Sequence, residues 1–293
     1  AGACHKGPSG ADGGGGTRGL MRRETLELLR CPRCGGGSLV PDADVPGKAR
    51  QAASTSAMTF GPARCLGCSA RFPVHDGLID FVGDRAKLKL LQQAMELPWV
   101  ARSWERYVRP AVDTVLTRGR LDHESEYTVL RNLIGKPPGP VVDLGCGAGL
   151  VLRKLSRDFA KVPVIGVDVS RPMLEEAMAQ VRENAEAADF VRAQVPSMPF
   201  NDASLGAVVA VGFIHFVEEL DPLLHEVARA LKPGGRFVAT TYEAGKLLEP
   251  VHRGAGLFPR SEEALRNAAV RAGLVHFERV KVSPFLLWKA ERP

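Results

Sequence analysis

Four of the six cysteines fall in two C-x-x-C pairs, Cys31 with Cys34 in LLRCPRCGGGSL and Cys65 with Cys68 in ARCLGCSARFPVHDGLIDF, separated by 30 residues. A C-x-x-C turn aims both thiolates to one side, and Gly35 to Gly37 relieve the crowding where backbone amides approach the sulfurs. Two such turns supply four soft ligands in a tetrahedral array. That is a closed zinc site with no position left for water, and therefore a structural one. The competing reading is a dithiol redox centre, which needs one C-x-x-C at a helix start beside a strand; neither pair has that setting. His75 could stand in as a ligand, but four cysteines already fill the shell. A module of this size buries too little apolar surface to hold alone, so zinc would supply much of its folding free energy.

A second group of candidate residues surrounds VVDLGCGAGL, residues 141–150. Alternating glycines directly behind an apolar run that ends in an acid weaken strand and helix alike, and point to a backbone that must approach a ligand. The spacing is G-x-G-x-G (Gly145, Gly147, Gly149), not the G-x-G-x-x-G of dinucleotide binders, and no Lys-Ser/Thr pair follows to complete a phosphate loop. Asp143, inside the strand end, would repel a pyrophosphate and attract an ammonium group. Asp168 ends the next apolar run, 19 residues after Gly149, placed to accept both hydroxyls of a ribose. A ribose, a positive amino-acid end and no phosphate describe S-adenosylmethionine.

These residues need elements to hold them. Strands are expected at PVVDLG, VPVIGVDV, DFVRAQV, LGAVVAVGF, RFVATTY, LVHFERVKV and PFLLWKAE. Helices are expected over about 149–159, 171–184, 221–231 and 261–272. The alternation implies an α/β fold: a seven-stranded, mostly parallel Rossmann-like sheet with helices on both faces and ligands at the carboxyl ends of its strands. Little more than SP separates the last two strands, so they form a terminal antiparallel hairpin. Residues 84–134 carry apolar positions at helical spacing, broken at Pro98 and Pro110. WVARSWERYV within them reads as a helix packed on the next domain or as a lid over its pocket. The chain thus divides into a Gly-rich flexible leader (1–20, holding Cys4 and His5, with Met21 reading as a natural first residue), a small zinc-ribbon module (21–83), a helical linker or lid (84–136) and a cofactor-binding domain (137–293).

VVDLGCGAGL, IGVDVS and LKPGG (231–235), in this order, resemble the class I S-adenosylmethionine-dependent methyltransferases. CPRCGG, CLGCSARFPVHDGLIDF, SWERYV and FLLWKAERP extend the resemblance to a subgroup with an N-terminal zinc ribbon, which includes bacterial 23S rRNA guanine methyltransferases and plant chloroplast proteins. The resemblance implies that Gly145, Cys146 and Gly147 let the backbone meet the cofactor, with Asp143 at its amino-acid end and Asp168 at its ribose. Val169, Ser170 and Met173 would lie beside the adenine. Gln194, where the family usually has an acid, would accept the adenine amino group, and Val195 and Gly212 would complete the cofactor-binding set. Gly206 likewise replaces the usual acid of the next strand.

Methyl transfer needs an aligned acceptor more than a base, but a hydroxyl acceptor must lose its proton. His215, in VGFIHFVEEL at the end of the fourth strand, is the candidate catalytic base because its ring titrates in the useful range. Tyr242, Glu243 and His252 are weaker candidates, and His225 reads as surface.

At 293 residues, 45% hydrophobic and 25% charged, the chain is that of a globular protein with room for one full α/β domain and a smaller unit. No apolar run approaches the roughly 20 residues that cross a bilayer, and paired cysteines without a secretory signal suit a reducing cytoplasm. Residues 1–139 hold 20 Lys+Arg against 14 Asp+Glu, whereas residues 140–293 hold 19 of each. That excess leaves a nucleic acid partner open. The low aromatic count and the apolar GAVVAVGFIHF favour a small-molecule acceptor methylated on oxygen; rRNA base methylation is the alternative, and a non-catalytic binding protein on the same fold is the third reading.

Overall fold

The computed structural model describes residues 21–42, 57–58, 62–83, 93, 96–103, 107–243 and 249–293. The expected leader, including Cys4 and His5, lies outside them, as do 84–92 and 104–106 of the expected lid.

The N-terminal segment starts with β1 (Met21–Arg22) and α1 (Arg23–Leu28), followed by β2 (Leu39–Pro41), β3 (Ala57–Met58), β4 (Ala63–Cys65), β5 (Arg71–Phe72), β6 (Val74–His75) and β7 (Leu78–Asp80). Strands β2, β4 and β5 make a small antiparallel sheet whose β4 carries Cys65 at its end. Three helices come next: α2 (Pro98–Ser103), α3 (Arg109–Thr117) and α4 (His123–Ile134). The prolines that break the pattern open helices, Pro98 as the first residue of α2 and Pro110 as the second of α3, where the missing N–H would have no partner anyway. The Asp122 side chain caps α4 by accepting from the Ser125 amide at 2.7 Å.

From residue 141 strands and helices alternate: β8 (Val141–Leu144), α5 (Leu150–Asp158), β9 (Val164–Asp168), α6 (Arg171–Glu183), β10 (Asp189–Arg192), β11 (Leu205–Val211), a 3-10 turn at Ile214–Phe216, α7 (Leu220–Ala230), β12 (Leu231–Tyr242), α8 (Glu249–Gly254), α9 (Glu262–Arg271), β13 (Val275–Val282) and β14 (Phe285–Glu291). β8 to β12 are parallel, and β14 pairs antiparallel with both β12 and β13, as the short SP connection requires. Successive residues of a strand serve opposite faces. Val142 and Ile165 join a core with α7 and α9, while Val141 and Val164 join one with α4, α5 and α6.

The expected seven strands are present, but among the described residues the sheet has nine, in the order β13-β14-β12-β11-β8-β9-β10-β7-β6. β7 pairs parallel with β10, with Ile79 opposite Val191, and β6 folds back on β7. The N-terminal module is therefore built into the edge of the large sheet and shares its core. Strands of two and three residues are too short to show a period, which is why their sheet could not be read from the pattern. Order reverses on either side of β8, so the crevice at its carboxyl end is the topological switch point where ligands bind in open α/β sheets.

Candidate cofactor and metal sites

The four thiol sulfurs of Cys31, Cys34, Cys65 and Cys68 all lie within 4.8 Å of one another, with Cys31 to Cys68 and Cys34 to Cys65 both at 3.7 Å. Four sulfurs at about 2.3 Å from one tetrahedral zinc ion would stand about 3.8 Å apart, so the spacing fits that ion. A Cβ on Gly37 would come to 2.3 Å of the Cys65 sulfur and 3.1 Å of the Cys34 sulfur, so the last glycine of CGGG is the one that crowding demands. Amides of Gly67 and Cys68 donate to the Cys65 sulfur at 3.3 and 3.4 Å. Those of Gly36 and Gly37 bring the Cys34 thiol down to about 6, whereas burial pushes Cys31 up to about 12. His75, exposed in β6, is outside the cluster.

Around the switch point, β8 delivers Asp143, buried, to the start of the glycine loop. Gly145, Gly147 and Gly149 all have positive φ, at 74°, 53° and 92°. At Gly145 the requirement is doubled, because a Cβ there would stand 2.5 Å from the Phe213 ring. The Gly145 amide donates to the Val167 carbonyl at 2.7 Å and the Cys146 amide at 3.1 Å, which folds the loop over the end of β9. Asp168 finishes that strand and its carboxylate accepts from the Gly147 amide and the Ser170 amide, both at 2.9 Å. It therefore binds the glycine loop to the start of α6, where the Ser170 hydroxyl caps the helix by accepting from the Met173 amide. Val169 and Val195 are half-buried, Gln194 is exposed just past β10, and Gly212 follows β11 with φ 65°. These positions converge on one crevice from four adjacent strands.

Helix α2 covers this crevice. Its Ala101 is buried in a cluster of its own with Ala148 of the glycine loop and Met173 of α6. Just before α2 stands Glu96, whose Oε1 is buried with no hydrogen-bond partner among the described residues. Burial pushes the pKa of Asp168 up, and the like charge of Glu96 adds to the rise. Neither acid is in an ion pair among the described residues, which suits a ligand with positive charge, and Gly212 leaves open space where a side chain would stand. Both features fit S-adenosylmethionine.

His215 lies in the 3-10 turn after β11, at the same end of the sheet, its ring 4.9 Å from Tyr242 and 4.6 Å from Phe216. It does not titrate in the range the sequence suggested. Desolvation, with the Arg109 charge beside it, takes its pKa down to about 3, so the ring is neutral. Its Nδ1 is buried with no hydrogen-bond partner among the described residues. The His252 ring is 5.9 Å from that of Tyr242, and Arg109 pairs with Glu126 at 2.8 Å in a largely buried ion pair. Arg260 fixes the turn, donating to the carbonyls of Ile214, Val217 and Glu218. His225 is exposed on α7. Gly206, at the opposite end of β11, has a separate reason for lacking a side chain: a Cβ would meet the Gly139 nitrogen at 2.3 Å. Its missing acid is thus a packing matter, remote from the crevice.

Comparison with known proteins accords with this geometry. Residues 142–239 match the family model described as a methyltransferase domain. The chain is 30% identical over 172 residues to an uncharacterized chloroplastic methyltransferase of Arabidopsis thaliana, covering 53% of this chain and 48% of that protein. It is 32% identical over 142 residues to a ubiquinone/menaquinone biosynthesis C-methyltransferase of Desulfotalea psychrophila, covering 47% and 56%. The chain thus spans about half the length of these relatives. Among solved structures, a Haemonchus contortus phosphoethanolamine N-methyltransferase 2 in complex with S-adenosyl-L-methionine aligns with a TM-score of 0.58 at 16% identity, covering 76% of this chain and 62% of that one. The complex between the Haloferax volcanii Trm112 methyltransferase activator and a methyltransferase aligns at 0.54 and 20%, covering 71% and 100%. Residues 142–239 thus match a methyltransferase domain model, and the chain shares the fold of these solved structures. Among the described residues no helix is long and apolar enough to cross a membrane.

Sequence reasoning missed Glu96, Arg109, Arg192, Asp80 and Arg260. No local pattern marks them, because their surroundings are assembled only by the fold.

Proposed function

We propose that the protein is an S-adenosylmethionine-dependent methyltransferase that methylates an oxygen of a small acceptor, with a structural zinc ion held by Cys31, Cys34, Cys65 and Cys68. The observation that carries this reading is the Asp168 carboxylate, fixed by the Gly147 and Ser170 amides at the switch point beside the glycine loop.

The bound cofactor would supply a methyl group on a positive sulfonium, electrophilic enough for direct in-line displacement by the acceptor oxygen. Asp168 takes the ribose hydroxyls, Asp143 and the glycine loop take the amino-acid end, and Val169, Ser170, Met173, Gln194, Val195 and Gly212 enclose the rest. α2 excludes water from above. His215 acts as a neutral hydrogen-bond acceptor that orients the acceptor hydroxyl. Held so far below the ordinary histidine range, its ring is too weak a base to keep the proton, which suits a hydroxyl acceptor acidic enough to release it to water, such as a phenol. Phe216 and Tyr242 form the apolar wall beside it.

Arginines of the N-terminal module are largely spent on internal ion pairs: Arg22 with Asp189, Arg30 with Asp202 and Glu226, and Arg64 and Arg71 with Asp42. This favours a small acceptor over rRNA, whose phosphates would need those charges free. Titration calorimetry of zinc-quantified protein with S-adenosylmethionine, with Asp168→Ala alongside, is the test. Micromolar binding lost in the variant supports the reading; absence of binding by the parent protein favours a non-catalytic role for the fold. Phenols are then screened against rRNA, and RNA binding that falls steeply with salt would displace the small-acceptor reading.

A further inference from the structure

Arg192, at the carboxyl end of β10, is a buried guanidinium that joins two parts of the chain far apart in sequence. Its Nε donates to the Val169 carbonyl at 2.9 Å, and its Nη1 to the Asp80 carboxylate at 3.0 Å and the Gly83 carbonyl at 2.9 Å. Asp80 is the last residue of β7, in the N-terminal module, and is itself fully engaged. Its Oδ1 accepts from the Val82 and Gly83 amides at 2.8 and 2.9 Å, and its Oδ2 also takes Arg171 at 3.2 Å. Burial would raise the Asp80 pKa, but the Gly83 and Val82 amides and Arg192 outweigh it and hold the carboxyl below its ordinary value.

The targets of this network decide what it does. Val169 follows Asp168 directly, and Arg171 opens α6. Asp80 therefore holds the 169–171 turn at both ends, Val169 through Arg192 and Arg171 directly, while the Asp168 carboxylate holds the Ser170 amide between them. A turn tied on both sides keeps its backbone where a nucleoside must meet it.

Resting on the reading of the crevice as a cofactor site, we propose that Arg192, anchored by Asp80 of the metal-binding module, is a positioning residue for the nucleoside half of the cofactor. The module is then a working part of the cofactor site.

The structure contains its own control. Asp189, at the amino end of the same strand, ties the same module to the same sheet through Arg22 and Thr25, also from a buried position. Three residues of strand, about 10 Å, separate it from Arg192. It touches nothing at the crevice among its described partners.

The full chain is titrated with S-adenosylhomocysteine and with methylthioadenosine, which keeps the nucleoside and lacks the amino-acid end, as wild type, Asp80→Asn, Arg192→Lys, Arg171→Ala and Asp189→Asn. Zinc content and Tm are measured on each. Asp80→Asn and Arg192→Lys should weaken both ligands by the same factor, about tenfold, with zinc content unchanged. Arg171→Ala, more exposed and safer for folding, should weaken both about threefold. Asp189→Asn should lower Tm and leave both affinities within about twofold. Unchanged affinity in Asp80→Asn, Arg192→Lys and Arg171→Ala, or an equal loss in Asp189→Asn, overturns the inference and leaves only a structural clamp. A wild type that binds neither ligand overturns the cofactor reading on which it rests.

Discussion

Asp168 gives up water, which the backbone amides only partly replace, and faces the charge of Glu96, so its ionised form is disfavoured until ribose hydroxyls donate to it and a positive ligand enters the crevice. A carboxyl whose folded pKa is raised picks up its proton at higher pH than an ordinary aspartate, and a positive ligand beside it drives that proton off. Binding of S-adenosylmethionine should therefore release protons in the acid range above 3.8, the unperturbed value, and affinity should fall as pH drops through the raised pKa. Calorimetry over a pH series from about 4 upward, in two buffers of different ionisation enthalpy, reads the release directly. The difference should vanish once the pH is well above the raised pKa, and at every pH in Asp168→Asn. Equal heats in both buffers at acid pH, after correction for binding, would mean that the carboxylate is already ionised. His215 runs the other way at this scale: its folded pKa of about 3 lies below 6.5, so the unfolded chain takes up a proton first and the ring's contribution to stability fades as pH falls between those values.

Among the elements, α2 is the one whose position decides access. Ala101 fits against Ala148 and Met173 because all three are slender where helix meets glycine loop. Ala101→Leu would add methylenes with no room for them, costing about 1–3 kcal/mol of the closed arrangement. Expected outcomes are weaker S-adenosylmethionine binding and faster protease cleavage around residue 98, with Tm little changed; a variant that binds as tightly as the parent would show that α2 does not close the site. Much of this scale was legible beforehand. The four helices after 149 and the terminal hairpin follow from apolar spacing and a two-residue connection, and the glycine loop and paired cysteines are short-range patterns that carry their own geometry. The β6–β7 edge was not legible, since two- and three-residue strands have no period. Nor was the pKa of His215, which is set by Arg109 and burial in the finished fold. Gly206 looked like a lost functional acid, but the sequence does not contain the Gly139 backbone lying against it.

At the scale of the whole molecule, the four-cysteine segment and the large domain share one sheet and one core. Leu26, Leu29 and Phe72 of the first pack in the same cluster as Val191, Phe200 and Leu224 of the second. β7 lies along β10, and buried ion pairs tie the module at both ends of that strand. A zinc ion that binds the native cluster and not the unfolded chain stabilises whatever unfolds with that cluster. If the segment were an independent unit, chelation would melt it alone and leave the domain's transition in place. The shared core predicts instead a single transition, seen alike by far-UV circular dichroism and by heat capacity, and moved down as a whole on chelation by on the order of 5–10 °C. Two transitions, with only the lower one sensitive to the chelator, would separate the segment from the domain and with it remove the physical basis for Asp80 acting on the cofactor turn.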